Sequence, residues 1–171
     1  MACVLAAGAG LIGALWLATA GGARPLLLWN RTASEPEGLY VRGAGSVSVG
    51  ALIAFPTPPA AFPYADDRMS YLRRVPILKH VAAISGDLVC TTNGKLEING
   101  RARAPILRHD RRGAVLPRWE GCRRLGDSEV FVFSDRIPNS FDSRYFGPVN
   151  RADVIGVFRP LTPALAISGD R

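Results

Sequence analysis

The chain has 171 residues, 48% of them hydrophobic, enough for one domain with its own core plus a membrane segment and too few for two full domains. It carries a formal charge of +7 and a pI near 10.0, yet its arginines are scattered from Arg24 to Arg171 with no concentrated run and no interleaved aromatics. That distribution sets nucleic acid aside as a partner and fits attraction to an anionic lipid surface.

The run from Ala2 to Ala20 has no charged residue and matches the ~20 apolar residues that cross a bilayer. Residues 1–22 are expected to be an N-terminal transmembrane helix or a secretory signal. No Lys or Arg precedes the run, and Ala18-Thr19-Ala20 has the small residues of a signal cleavage site, so both forms stay open. Within it, Gly8-Ala9-Gly10-Leu11-Ile12-Gly13 spells G-x-G-x-x-G. A dinucleotide site needs flanking strand and helix and an acid ~20 residues on. The first acid is Glu35 and no helix–strand alternation follows, so no cofactor is expected.

Beyond the anchor the pattern is mostly β. Residues 23–171 form one domain, with strands expected at Gly38–Arg42, Val49–Phe55, Ile77–Ile84, Leu88–Thr91, Lys95–Ile98, Glu129–Ser134 and Asp153–Arg159. Leu26-Leu27-Leu28-Trp29 leads into Asn30, and the Gly, Ser and Pro that follow exclude a long helix. Asn93-Gly94 supplies the positive φ angles of a tight hairpin. Pro56 to Pro63 reads as a stiff loop, Arg101 to Leu116 as a polar, arginine-rich insertion, and Gly86-Asp87 as a turn.

Among 21 basic residues only Lys79 and Lys95 are lysine. Arginine stays protonated at any working pH, whereas a buried amine can lose its proton near neutrality and serve as a general base. Ile77 and Leu78 before Lys79, and Val81 to Ile84 after it, supply an apolar strand for that burial. The base has a candidate nucleophile in Ser34, within Asn30-Arg31-Thr32-Ala33-Ser34-Glu35-Pro36-Glu37-Gly38-Leu39-Tyr40. His80 and His109 have no supporting acid block for a Ser-His-Asp triad, and no metal-ligand spacing is present.

Three blocks carry a family resemblance. Asn139-Ser140-Phe141-Asp142-Ser143-Arg144-Tyr145-Phe146-Gly147-Pro148-Val149 resembles the N-S-x-D-S-R-Y-x-G-x-V signature of the bacterial signal peptidase superfamily. The Ser34 block resembles N-x-T-x-S-x-P-x-G-L-Y, and Leu78 to Asp87 resembles L-K-R-V-x-A-x-x-G-D, both of the conjugative-transfer, TraF-type pilin-processing branch. The resemblance spans about Asn30 to Leu161. It implies a β-barrel or β-sandwich peptidase domain outside the cytoplasmic membrane, in the periplasm, with a Ser34–Lys79 dyad. By the same resemblance Ser140 orients the lysine amine, Thr32 aids the Ser34 N–H in binding the oxyanion, and Asp142 and Arg144 form a buried ion pair. Cys90 and Cys122 are the pair left in the exported domain, and Trp119-Glu120-Gly121-Cys122-Arg123 resembles a motif of the branch. A disulfide between them suits an oxidising compartment, with two buried thiols as the alternative.

The implied partners are a precursor protein, a pilin or another signal-bearing preprotein, together with membrane lipid and type IV secretion components. Glu35 stands where housekeeping signal peptidases carry Met, His80 where a basic residue is customary, and Ser85 where Pro is. The expected function is a membrane-bound serine endopeptidase that matures a conjugative pilin. A general signal peptidase and a catalytically silent assembly factor are the alternatives, and hydrolysis and pilin cyclisation both remain open.

Overall fold

The computed structural model describes residues 24–161. The expected N-terminal anchor and the G-x-G-x-x-G lie outside that range, and among the described residues no helix is long and apolar enough to cross a membrane. The strands are Leu27–Asn30 (β1), Gly38–Gly43 (β2), Leu52–Phe55 (β3), Ile77–Ala83 (β4), Leu88–Thr92 (β5), Lys95–Ile98 (β6), Arg101–Pro105 (β7), Cys122–Arg124 (β8), Glu129–Val132 (β9), Val149–Asn150 (β10) and Gly156–Pro160 (β11). Two short helices, Tyr64–Arg68 (α1) and Ser143–Phe146 (α2), complete the set with three 3₁₀ turns.

The expected mostly β domain is realised as two sheets. Seven strands run in the order β1-β2-β11-β3-β4-β9-β10, and four in the order β7-β6-β5-β8. Side chains alternate across a strand, so a strand covered on both faces serves two cores. β3 does this: Ile53 and Phe55 enter the main core with Ile77, Val81, Val130 and Val132, while Leu52 and Ala54 enter a second with Tyr40, Leu78 and Phe158. β9 is split in the same way, Val130 and Val132 facing the main core and Phe131 a third core beneath the small sheet. Along β4 the register shifts between Val81 and Ala83, and this irregularity sends Val81 into the main core and Ala83 into the third.

The β3–β4 register places Ile53 opposite Lys79 and Leu52 opposite His80. Lys79 therefore shares its face with Ile77 and Val81, and His80 emerges on the other side. The small sheet is stapled by a disulfide between Cys90 and Cys122, which are register partners on β5 and β8.

Two sequence readings change. The supposed insertion from Arg101 begins as strand β7, paired with β6. Its hairpin signal was present in Asn99-Gly100, whose φ angles of 51° and 74° repeat those of Asn93-Gly94 at 54° and 71°. The stretch from Asp153 begins as a 3₁₀ turn over Arg151–Asp153, and the strand starts only at Gly156.

Candidate active site

Ser34 lies in the turn between β1 and β2, where five successive carbonyls are held by side chains. Asn30 Nδ2 donates to the carbonyls of Thr32, Glu35 and Pro36 at 3.0, 3.0 and 2.9 Å. Arg136 Nε donates to the Ala33 carbonyl at 3.1 Å, and Ser134 Oγ to that of Ser34 at 2.5 Å. Tyr40 Oη adds a second bond to the Pro36 carbonyl at 2.6 Å. With its carbonyls turned back into protein, the turn leaves the Ser34 N–H without an acceptor among the described residues. A free N–H on the nucleophile is the donor that an oxyanion requires.

Lys79 reaches the serine from the neighbouring face of β4. Its Nζ donates to Ser34 Oγ at 2.6 Å and to the Leu78 carbonyl at 3.0 Å, and the residue is 4% exposed. Burial holds the amine below the ordinary lysine range; the charges of Asp142 and Glu35 push upward, and Arg144 adds to the lowering. The Thr32 hydroxyl donates to Asn30 Oδ1 at 2.8 Å and lies 3.3 Å from Ser34 Oγ. Having committed its proton to Asn30, Thr32 can only accept from Ser34. At rest Thr32 thus accepts a hydrogen bond from the Ser34 hydroxyl.

Ser140 is the residue that the resemblance implies as orienting the lysine amine. Its hydroxyl is buried and has no hydrogen-bond partner, because the Lys79 amine is turned to Ser34 and the Leu78 carbonyl. What is held at Ser140 is its backbone: Arg144 Nη2 donates to the Ser140 carbonyl at 2.9 Å. Arg144 makes a two-bond contact with Asp142, at 2.8 and 2.9 Å, and also donates to the Pro105 carbonyl at 2.9 Å. Both side chains are buried, and Asp142 caps α2 by accepting from the Arg144 N–H.

Ser34, Lys79, Thr32 and Ser140 all line one cavity of about 680 Å³. Its walls are chiefly apolar, with Leu28, Met69, Leu72, Ile77 and Phe141 among them, and no metal-binding cluster occurs among the described residues. Trp29, Tyr71 and Val75 stand at its rim, 64%, 48% and 45% exposed. The arrangement can bind an extended apolar chain and present one carbonyl to a hydroxyl with a buried amine beside it.

Sequence reasoning gave no role to Asn30, Ser134 or Arg136, nor to a contact between Glu35 and His80, whose Oε2 and Nδ1 lie 3.0 Å apart. Only Asn30 could have been found, as a short polar residue starting a turn. The other contacts join segments about 45 to 100 residues apart, with no local signal.

The model of the family described as signal peptidase, peptidase S26, matches residues 11–161. Two plasmid transfer proteins TraF of Escherichia coli are similar to the chain: one is 36% identical over 77% of this chain and 80% of its own length, the other 35% identical over 92% and 94%. A conjugal transfer protein TraF of Agrobacterium tumefaciens (strain 15955) is 34% identical over 77% of this chain and 80% of its own length. The chain belongs to peptidase family S26, in its TraF-type branch.

Proposed function

We propose that the chain is a serine endopeptidase of the signal peptidase class, anchored in the cytoplasmic membrane with its catalytic domain in the periplasm. It matures the precursor of a conjugative pilin for a type IV secretion system. The observation that carries this reading is the 2.6 Å contact of a buried lysine amine with a serine hydroxyl at the floor of an apolar cavity. The names of the TraF relatives support the conjugative setting, and a disulfide supports an oxidising compartment.

The reaction follows from the contacts. With Lys79 neutral, the Ser34 hydroxyl turns its proton from Thr32 to Nζ and Oγ attacks the scissile carbonyl. The Ser34 N–H receives the oxyanion, a donor of a kind whose loss costs ~10²–10³ in rate. As the C–N bond breaks, Nζ returns its proton to the leaving amine and an ester on Ser34 remains. Attack by water then gives a linear product, and attack by the substrate's own amine gives a ring.

Coexpression with the pilin precursor of the same conjugative system tests this. Mass spectrometry is expected to show a shortened pilin with the wild-type chain and intact precursor with Ser34→Ala, and the product mass separates ring from linear chain by one water. Equal cleavage of unrelated exported precursors would point to a general signal peptidase, and an uncut precursor with the wild-type chain would refute the reading.

A further inference from the structure

Glu35 follows the nucleophile in sequence and His80 follows the base, and the two side chains meet each other at 3.0 Å. Lys79 and His80 are neighbours on a strand and point to opposite faces, so this bridge lies behind the serine–lysine contact. It faces a second cavity, of about 600 Å³, that shares no residue with the first. Glu35 is 3% exposed and its Oε1 has no partner, which leaves His80 as the one side chain bonded to this buried carboxylate. A buried carboxylate stripped of its partner is costly and acts at range on nearby charges.

We propose that Glu35 and His80 are a positioning pair for the serine–lysine centre: their bridge ties the turn that carries the nucleophile to the strand that carries the base, and cancels the carboxylate's charge beside Lys79. The proposal rests on Lys79 being the base. Other charges face the pair. Asp135, Arg136 and Arg103 line the same cavity, the Tyr40 phenol feels Glu35, and Lys79 feels Asp142 and Arg144 in addition. The Glu35 bond raises the His80 imidazole above its ordinary value, with Asp135 adding and burial and Lys79 opposing. A protonated His80 sets a cation against Glu35, whose uncancelled charge acts to raise the Lys79 amine.

The test needs no substrate. Because the chain has two lysines and two histidines, ¹³C labels at lysine Cε and histidine Cε1 give one titrating signal for each residue. In His80→Gln the bare carboxylate is expected to place the Lys79 midpoint about half a pH unit or more above that of either His80→Arg, which restores a cation, or Glu35→Gln/His80→Gln, which removes both charges. On a cleavable precursor kcat at neutral pH is then lowest in His80→Gln and recovers in His80→Arg, with KM unchanged. Lys79 midpoints that coincide in all three variants would overturn the proposal, as would kcat that fails to recover. If His80→Gln does not fold, the imidazole supplies the test: the His80 midpoint is expected to fall in Glu35→Gln while that of His109 stays, and an unmoved His80 signal would overturn it. Failure of the precursor to be cut by the wild-type chain bears on the peptidase reading alone, since the titrations stand without it.

Discussion

Lys79 is held at a cost to the fold. Its amine is buried and its proton affinity lowered mainly by that burial, so the folded chain binds this proton less tightly than the unfolded chain does. Below the lowered folded value both states are protonated and the whole cost is present. As pH climbs from there toward the ordinary lysine value only the unfolded chain holds the proton, and stability rises. Lys79→Met, which fills the site without a charge, is expected to melt above wild type in scanning calorimetry, with a gap that narrows as pH rises through this window. A wild-type chain that melts higher at every pH would show that burial of the amine is not destabilising. At this scale the sequence was most legible: a lone lysine in an apolar strand and a serine in a motif block, 45 residues apart, lie 2.6 Å from each other. Thr32 and Ser140 line the same cavity, but the direction of each hydroxyl was not legible, because it is decided by neighbours such as Asn30 and the Leu78 carbonyl.

The turn from Asn30 to Pro36 is the element that sets the position of Ser34. Asn30 holds it through both halves of its amide, donating to three carbonyls and accepting from the Thr32 N–H at 3.1 Å as well as from the Thr32 hydroxyl. Asn30→Asp keeps the shape and both acceptor bonds but turns a carboxylate oxygen toward three carbonyl oxygens. We expect it to cost ~2–3 kcal/mol in denaturant titration and at least ~10² in cleavage rate. Retention of full rate would mean that the turn is held by Ser134, Arg136 and Tyr40 alone. Elements were legible where their signal is local. Strands β2, β5 and β6 follow from short apolar runs bounded by Gly, Asn and Asp, with Asn93-Gly94 joining the last two. β1 was hidden in an apolar run without alternation, and β8 and β10, of three and two residues, exist only through their partners β5 and β9.

At the scale of the whole molecule the reaction centre and the disulfide lie in different sheets. Ser34 sits in the turn joining β1 and β2 and Lys79 on β4, all strands of the large sheet, while Cys90 and Cys122 join strands of the small one across a separation of 32 residues. Cys90→Ser/Cys122→Ser is therefore expected to lose ~2–4 kcal/mol of stability in urea while the folded fraction cleaves at the wild-type rate. A parallel loss of rate would show that the small sheet supports the site. The division into two sheets and three cores was not legible, since it depends on which strands pair across long separations. β4 carries residues of all three cores and the buried Lys79 amine as well, so one strand ties the fold to the candidate site.

The central claim is that a buried lysine, and no other group, takes the Ser34 proton. Its most direct test is single-turnover cleavage of the pilin precursor by the wild-type chain, Ser34→Ala and Lys79→Arg, each shown to be folded by its melting transition. Because Ser34→Ala lacks the attacking hydroxyl and the guanidinium of Lys79→Arg keeps its proton at working pH, both variants are predicted to leave the precursor uncut while wild type shortens it. Cleavage by Lys79→Arg at the wild-type rate would contradict the account.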